Sequence, residues 1–108
     1  MLKSLALDRI FEALSDPTRR WIVEGLCDGE ASVAQLAESL PVGLPTVLSH
    51  LKVLERSGLI STHKIGRVRR CCIEPQALRI LDGWVTPRRP VWDRLALRQG
   101  APYGGAGS

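Results

Sequence analysis

SVAQLAESLPVGLPTVLSHLKVLERSGLISTHKIGRVRR, residues 32–70, reads as a short helix, a turn, a second helix and then a basic β-hairpin. Ser32 and Gln35 stand at capping-box spacing, the hydroxyl placed to accept from the N–H three residues on while the amide reaches back. Val33, Leu36, Ala37 and Leu40 make the core side of that first helix. Pro41-Val42-Gly43 breaks the helical period, and Pro45 stands where a second helix starts, a position that needs no N–H donor. Over residues 44–57, Leu44, Val47, Leu51 and Leu54 recur at three- and four-residue spacing and predict one buried stripe. Gly58 closes the helix as a left-handed cap. Residues 59–64 have strand-like composition, Ile65-Gly66-Arg67 makes a tip, and residues 68–73 return. That order of elements is a winged helix-turn-helix, a mainly α fold with a small β-hairpin.

The face of the second helix away from the stripe carries Thr46, Ser49, Lys52, Val53 and Arg56, with Leu48 and His50 on its flanks. No acidic residue occurs between Ser39 and Leu54, so this helix can approach phosphates without like-charge repulsion. A solvated helix ordinarily takes Asp or Glu in its first turn, where the macrodipole favours it; here that place is open. His63, Lys64, Arg67, Arg69 and Arg70 cluster around the hairpin tip. Edge hairpins are often charged merely to stay soluble. Directly after a helix-turn-helix, such a tip reads as a wing, with Lys64, Arg67 and Arg69 touching phosphates or the minor groove.

The flanks supply more helices. Leu5, Ile10, Phe11 and Leu14 line one side of a first helix that stops at Asp16-Pro17. Asp16 is a good N-cap and Pro17 a good first residue for a helix running to about Cys27, with Ile22, Val23 and Leu26 buried. Arg19 and Arg20 fall in its first turn, unfavourable for the dipole; pairing with Asp16 or Glu24, or a nearby polyanion, would compensate them. After the wing, Glu74-Pro75 opens a last helix with an apolar face of Leu78, Leu81, Trp84 and Val85. Pro87 and Pro90 are expected to interrupt it before the pattern resumes at residues 91–95. Trp84 and Trp92 on this short element exceed what a small core needs, which favours a subunit interface. Residues 1–99 form one domain on this reading, and the Gly-rich residues 100–108 a disordered tail.

The runs Leu14-Ser15-Asp16-Pro17-Thr18-Arg19-Arg20, Leu36-Ala37-Glu38, Gly66-Arg67-Val68 and the stretch from Ser49 to Ile60 resemble the ArsR family of bacterial dimeric repressors over about residues 5–95. The resemblance implies a homodimer whose first and last helices pair across a two-fold axis, with Leu5, Phe11, Leu81, Trp84 and Trp92 as interface candidates. It implies a palindromic operator in double-stranded DNA, read by two copies of the second helix about one helical turn apart. Leu44, Pro45, Leu48 and Ser49 match base-contacting positions of the family, Thr46 and His50 border them, and the helix start at Arg19 faces DNA. The chain departs from the family pattern at Gly43, where Ser is usual, and at Leu44 and Leu48, where polar residues are usual. Apolar groups at such positions read thymine methyls.

Composition agrees with a small regulator. The chain has 108 residues and a formal net charge of +4, which suits local binding of DNA and argues against a polybasic chaperone-like binder. Neither a transmembrane-length apolar run nor a signal-peptide layout is expected, and three irregularly spaced cysteines suit a reducing cytoplasm. No cofactor or metal is expected: the family's metal positions lack Cys and His here, and Cys27, His50, His63, Cys71 and Cys72 are scattered. Cys71 should be core and Cys72 more exposed; Arg69 and Arg70 could lower a thiol pKa, which leaves a thiol- or metal-responsive sensor as one alternative. A winged-helix protein-interaction module is another. An enzyme is not indicated, since the chain lacks a phosphate loop, a nucleophile elbow and paired acid-base carboxylates.

Overall fold

A computed structural model describes residues 4–98. The expected tail, residues 100–108, lies outside the described residues. The elements run α1 (Leu5–Ala13), α2 (Pro17–Cys27), β1 (Ala31–Ser32), α3 (Val33–Ser39), α4 (Leu44–Arg56), β2 (Ile60–Ile65), β3 (Val68–Ile73), α5 (Pro75–Val85), a 3-10 turn (Thr86–Arg88) and α6 (Arg89–Arg98). The three strands form one antiparallel sheet in the order β1-β3-β2.

Local chemistry sets most of these boundaries. Asp16 caps α2 by accepting from the Arg19 N–H at 3.0 Å, and Pro17 opens the helix. Ser32 and Gln35 form the full capping box of α3, with bonds of 3.0 and 2.8 Å. At the far end of α4, Gly58 takes φ +83°, and two N–H groups return to the helix, Gly58 to Glu55 O and Leu59 to Leu54 O. That is a Schellman ending, and it turns the chain directly into β2. Gly66, at φ +64°, occupies the two-residue turn between Ile65 and Val68, where a tight hairpin needs a positive φ.

The core lies beneath the helix-turn-helix. Its largest fully buried side chains are Ile10 of α1, Ile22 and Leu26 of α2, Val47 and Leu54 of α4, Leu59, Ile60 of β2 and Cys71 of β3. Each large aliphatic among them contributes about 1.5–3 kcal/mol by leaving water, more than the roughly 1 kcal/mol of a helix cap. Packing therefore holds the helices together while caps place their ends. By contrast α5 gives this core only Ala77 as a fully buried residue, with Ile80 and Leu81 partly covered.

Leu44 and β1 depart from the sequence reading, and the proline-rich stretch refines it. Leu44, assigned to the buried stripe of α4, is 51% exposed: it sits at the helix's first position, and burial begins one turn later at Val47. Strand β1 was not expected; two residues carry no periodicity, and Ser32 serves both as strand partner of Arg70 and as cap of α3. Pro87 and Pro90 interrupt the last helix, as expected, but only by one short turn. Val85, Thr86 and Arg89 all keep right-handed helical angles, so the chain tightens into a 3-10 turn and re-enters α6 with Pro90 where no N–H is required.

Candidate nucleic-acid interface

Helix α4 presents its free face as expected. Leu44, Pro45, Thr46, Leu48, Ser49 and Lys52 are exposed, and His50 is half-buried. Val53, expected on that free face, packs partly against the core. Gly43 offers no side chain to cap the helix, and no acid occupies the first turn. A negative ligand thus meets a short, uncharged entry to the helix followed by Lys52.

Beside this helix lies Arg19. Its Nε donates to Ala13 O at 2.7 Å and its Nη2 to Glu12 O at 3.3 Å, both at the C-terminus of α1; Nη1 lies 3.4 Å from His50 Nδ1. Arg20 Nη1 donates to Leu14 O at 2.7 Å. Among the described residues neither arginine pairs with Asp16 or Glu24. The two cations that oppose the dipole of α2 instead complement the carbonyl end of α1, an interaction worth about 0.3–1 kcal/mol each. The Asp16 carboxyl is held below its ordinary range, chiefly by the Arg19 backbone N–H, which outweighs the opposing effect of burial, with the positive side chains nearby adding to the lowering.

At the wing, Lys64 and Arg67 are exposed and carry no protein partner among the described contacts. Arg69 is exposed too, but its Nη1 donates to Thr62 Oγ1 at 2.9 Å, and Thr62 in turn donates to Glu55 Oε2 at 2.9 Å. Arg70 pairs with Glu30 at 3.0 Å. The five-residue basic cluster read from the chain therefore divides. His63, Lys64 and Arg67 face solvent, while Arg69 ties the wing to the end of α4 and Arg70 ties it to the β1 side. Glu30, Glu55 and Thr62 were not singled out in the sequence: Glu30 meets Arg70 across a long separation, and Glu55 and Thr62 meet only where the end of α4 docks on the hairpin.

The sequence profile described as "Bacterial regulatory protein, arsR family" matches residues 16–62, which run from the cap of α2 into the first half of β2. The HTH-type transcriptional regulator Rv2034 of Mycobacterium tuberculosis is 43% identical over 74 residues, 68% of this chain and 69% of that protein. This chain belongs to the arsR family. The transcriptional repressor SdpR of Bacillus subtilis is 34% identical over 79 residues, 73% of this chain and 88% of its own length. Among solved structures, the ArsR family transcriptional regulator RHA00566 superposes with a TM-score of 0.75 at 41% identity, covering 82% of this chain and 97% of that one. As an arsR-family member the chain is a winged helix-turn-helix transcriptional regulator and not an enzyme.

The other expected features of this arsR-family chain fall as follows. Cys71 is buried opposite Thr62; Cys72 is half-buried, its Sγ 3.2 Å from Ser61 Oγ. Arg69 and Arg70 do pull the Cys71 thiol down, as the sequence allowed, but burial, with Glu55 and Cys72 adding to it, outweighs them and pushes the thiol up. Among the described residues no three His, Cys, Asp or Glu side chains converge as a metal cluster would. No described helix is long and apolar enough to cross a membrane. Of the interface candidates, Leu5, Phe11 and Trp84 are exposed, Trp92 is half-buried, and Leu81 packs partly against the chain's own core. Phe11 and Trp84 meet edge to face at 5.8 Å, and the Arg88 guanidinium lies 4.1 Å above the Trp84 ring.

Proposed function

We propose that the protein is a homodimeric repressor acting in the cytoplasm on a palindromic operator in double-stranded DNA. Helix α4 enters the major groove; Thr46, Ser49 and His50 supply polar contacts to base edges, while Leu44, Pro45 and Leu48 pack on apolar groups such as thymine methyls. Lys52 lies toward the phosphates, and Lys64 and Arg67 of the wing reach the backbone or the adjacent minor groove, with Arg69 bracing the wing's base. Two copies joined through α1, α5 and α6 place their recognition helices one helical turn apart. Occupying DNA near a promoter excludes polymerase.

The observation that carries this reading is the exposed face of α4 over residues 44–53, which carries no acidic side chain, alongside a wing whose free cations are Lys64 and Arg67. The relatives' descriptions as transcriptional regulator and repressor support it. Its test is selection from a random pool of DNA duplexes, followed by footprinting of the enriched site. A two-fold symmetric site bound at least about a thousandfold more tightly than random duplex is expected. Enrichment of no sequence over the starting pool would sink the operator role and favour a protein-docking winged helix.

A further inference from the structure

We infer that Arg19 is a positioning residue for DNA reading: anchored on the C-terminal carbonyls of α1, it holds His50 of α4 with Nε2 as the hydrogen-bond donor. The inference rests on the proposed DNA-reading role of α4 and assigns Arg19 a place behind the protein–DNA contact. A guanidinium has five N–H donors and no acceptor, so the approach of Nη1 to His50 Nδ1 at 3.4 Å requires Nδ1 to offer its lone pair. A neutral imidazole accepting at Nδ1 carries its hydrogen on Nε2. His50 then presents a donor on the ring edge remote from Arg19, where a base acceptor or phosphate oxygen can meet it.

The anchoring is stronger than the contact it supports. Nε reaches Ala13 O at 2.7 Å and Nη2 reaches Glu12 O at 3.3 Å, while the residue's own N–H is held by Asp16 at 3.0 Å. Backbone and side chain of Arg19 are thus fixed from two elements before Nη1 meets the imidazole. A lysine retains the charge but cannot reproduce this planar fork, so the exchange is not conservative here. Because α1 also carries the exposed Phe11 that meets Trp84, the same guanidinium connects the helix proposed for dimerisation to the helix proposed for reading.

The test has a DNA-free arm and a DNA arm. In free protein with labelled ring nitrogens, at a pH where the imidazole is neutral, His50 should show a bare Nδ1 and a hydrogen on Nε2. Arg19→Ala should let the two tautomers mix. A hydrogen on Nδ1 in the unmodified chain, or a spectrum that Arg19→Ala leaves unchanged, overturns the inference whether or not the protein binds DNA. With the duplex selected above, Arg19→Ala and Arg19→Lys should each lower discrimination against random DNA about three- to tenfold. Neither should alter the salt dependence of random-duplex binding, and in a His50→Ala background neither should cost anything further. Arg19→Lys keeps a cation at the end of α1, so this arm stands even where Arg19→Ala unfolds. A salt slope lowered by about one would make Arg19 a phosphate contact and overturn the inference. So would an Arg19 loss undiminished in the His50→Ala background. If the unmodified chain selects no duplex, the proposed function fails, and the ring-nitrogen spectrum alone decides the role of Arg19.

Discussion

Asp16 shows how one side chain serves two levels of the structure. Its carboxylate ends the turn after α1, caps α2 and fixes the backbone of Arg19, whose side chain braces α1 and touches His50. Because the Arg19 N–H and nearby positive groups favour its charged form, its folded-state pKa lies below the ordinary 3.8. A depressed pKa contributes stability that is complete above the ordinary value and lost as pH falls through the folded one. Asp16→Asn keeps an acceptor at the cap but removes the charge. The original chain should therefore melt higher than the variant at neutral pH, by a few degrees at most, and the gap should close below about pH 4. Thermal melts of both chains from pH 7 to pH 3 check this; a gap that stays constant across the range would show that the charge contributes nothing. The cap itself was legible in the sequence, since Asp before Pro is a local signal. The fate of Arg19 and Arg20 was not: their position against the dipole of α2 marked them as needing a partner, but only the docking of α1 reveals that the partner is a row of carbonyls.

At the scale of elements, what could be read and what could not follows sequence separation. α2, α3 and α4 are each bounded by residues whose cap or turn chemistry is local, and their buried positions repeat with the helical period, so Ile22, Leu26, Leu36, Val47 and Leu54 were expected in the core and lie there. The hairpin was equally plain, with Gly66 marking its turn. Strand β1 and the Glu30–Arg70 pair join residues some forty positions apart, and the brace from Arg69 through Thr62 to Glu55 depends on how α4 docks on the hairpin; no local pattern announces either. The resulting division of the wing's cations matters for its function. Arg67 at the turn is free to meet DNA, whereas Arg69 is held through Thr62 to Glu55. Arg67→Ala should weaken binding to selected and random duplexes alike, and should reduce the slope of log affinity against log salt by about 0.9 for the lost phosphate contact. Thr62→Val, which cuts the brace without removing a cation, should leave that slope in place. Measured slopes over a series of salt concentrations decide it; no change on Arg67→Ala would remove the tip of the wing from the interface.

For the whole molecule, the extent of the chain and the placement of its apolar residues tell the same story. The radius of gyration is 16.8 Å, against about 13 Å for a compact domain of about 100 residues, and the excess accords with a last helical segment that buries little of itself. Phe11 at 45% exposure, Trp84 at 43%, Val85, Val91 and Leu95 leave apolar side chains uncovered on α1, α5 and α6. Several large apolar groups concentrated on neighbouring elements mark an association surface, whereas scattered single ones would not. Closure about a two-fold axis would place each exposed residue in the interface twice, so one substitution is felt twice. Trp84 is the sharpest probe, because its ring already packs against Phe11 and Arg88 yet contributes nothing to the core beneath the helix-turn-helix. Trp84→Asp would put a carboxylate on each side of the axis, and aromatic anchors of this kind typically account for about 2 kcal/mol or more apiece. The variant should scatter light as a monomer at micromolar concentration while keeping its helical circular dichroism, and its affinity for the selected duplex should fall toward that for half a site. An original chain that sediments as a folded monomer at micromolar concentration would refute the dimer, and the symmetric operator would have to be abandoned with it.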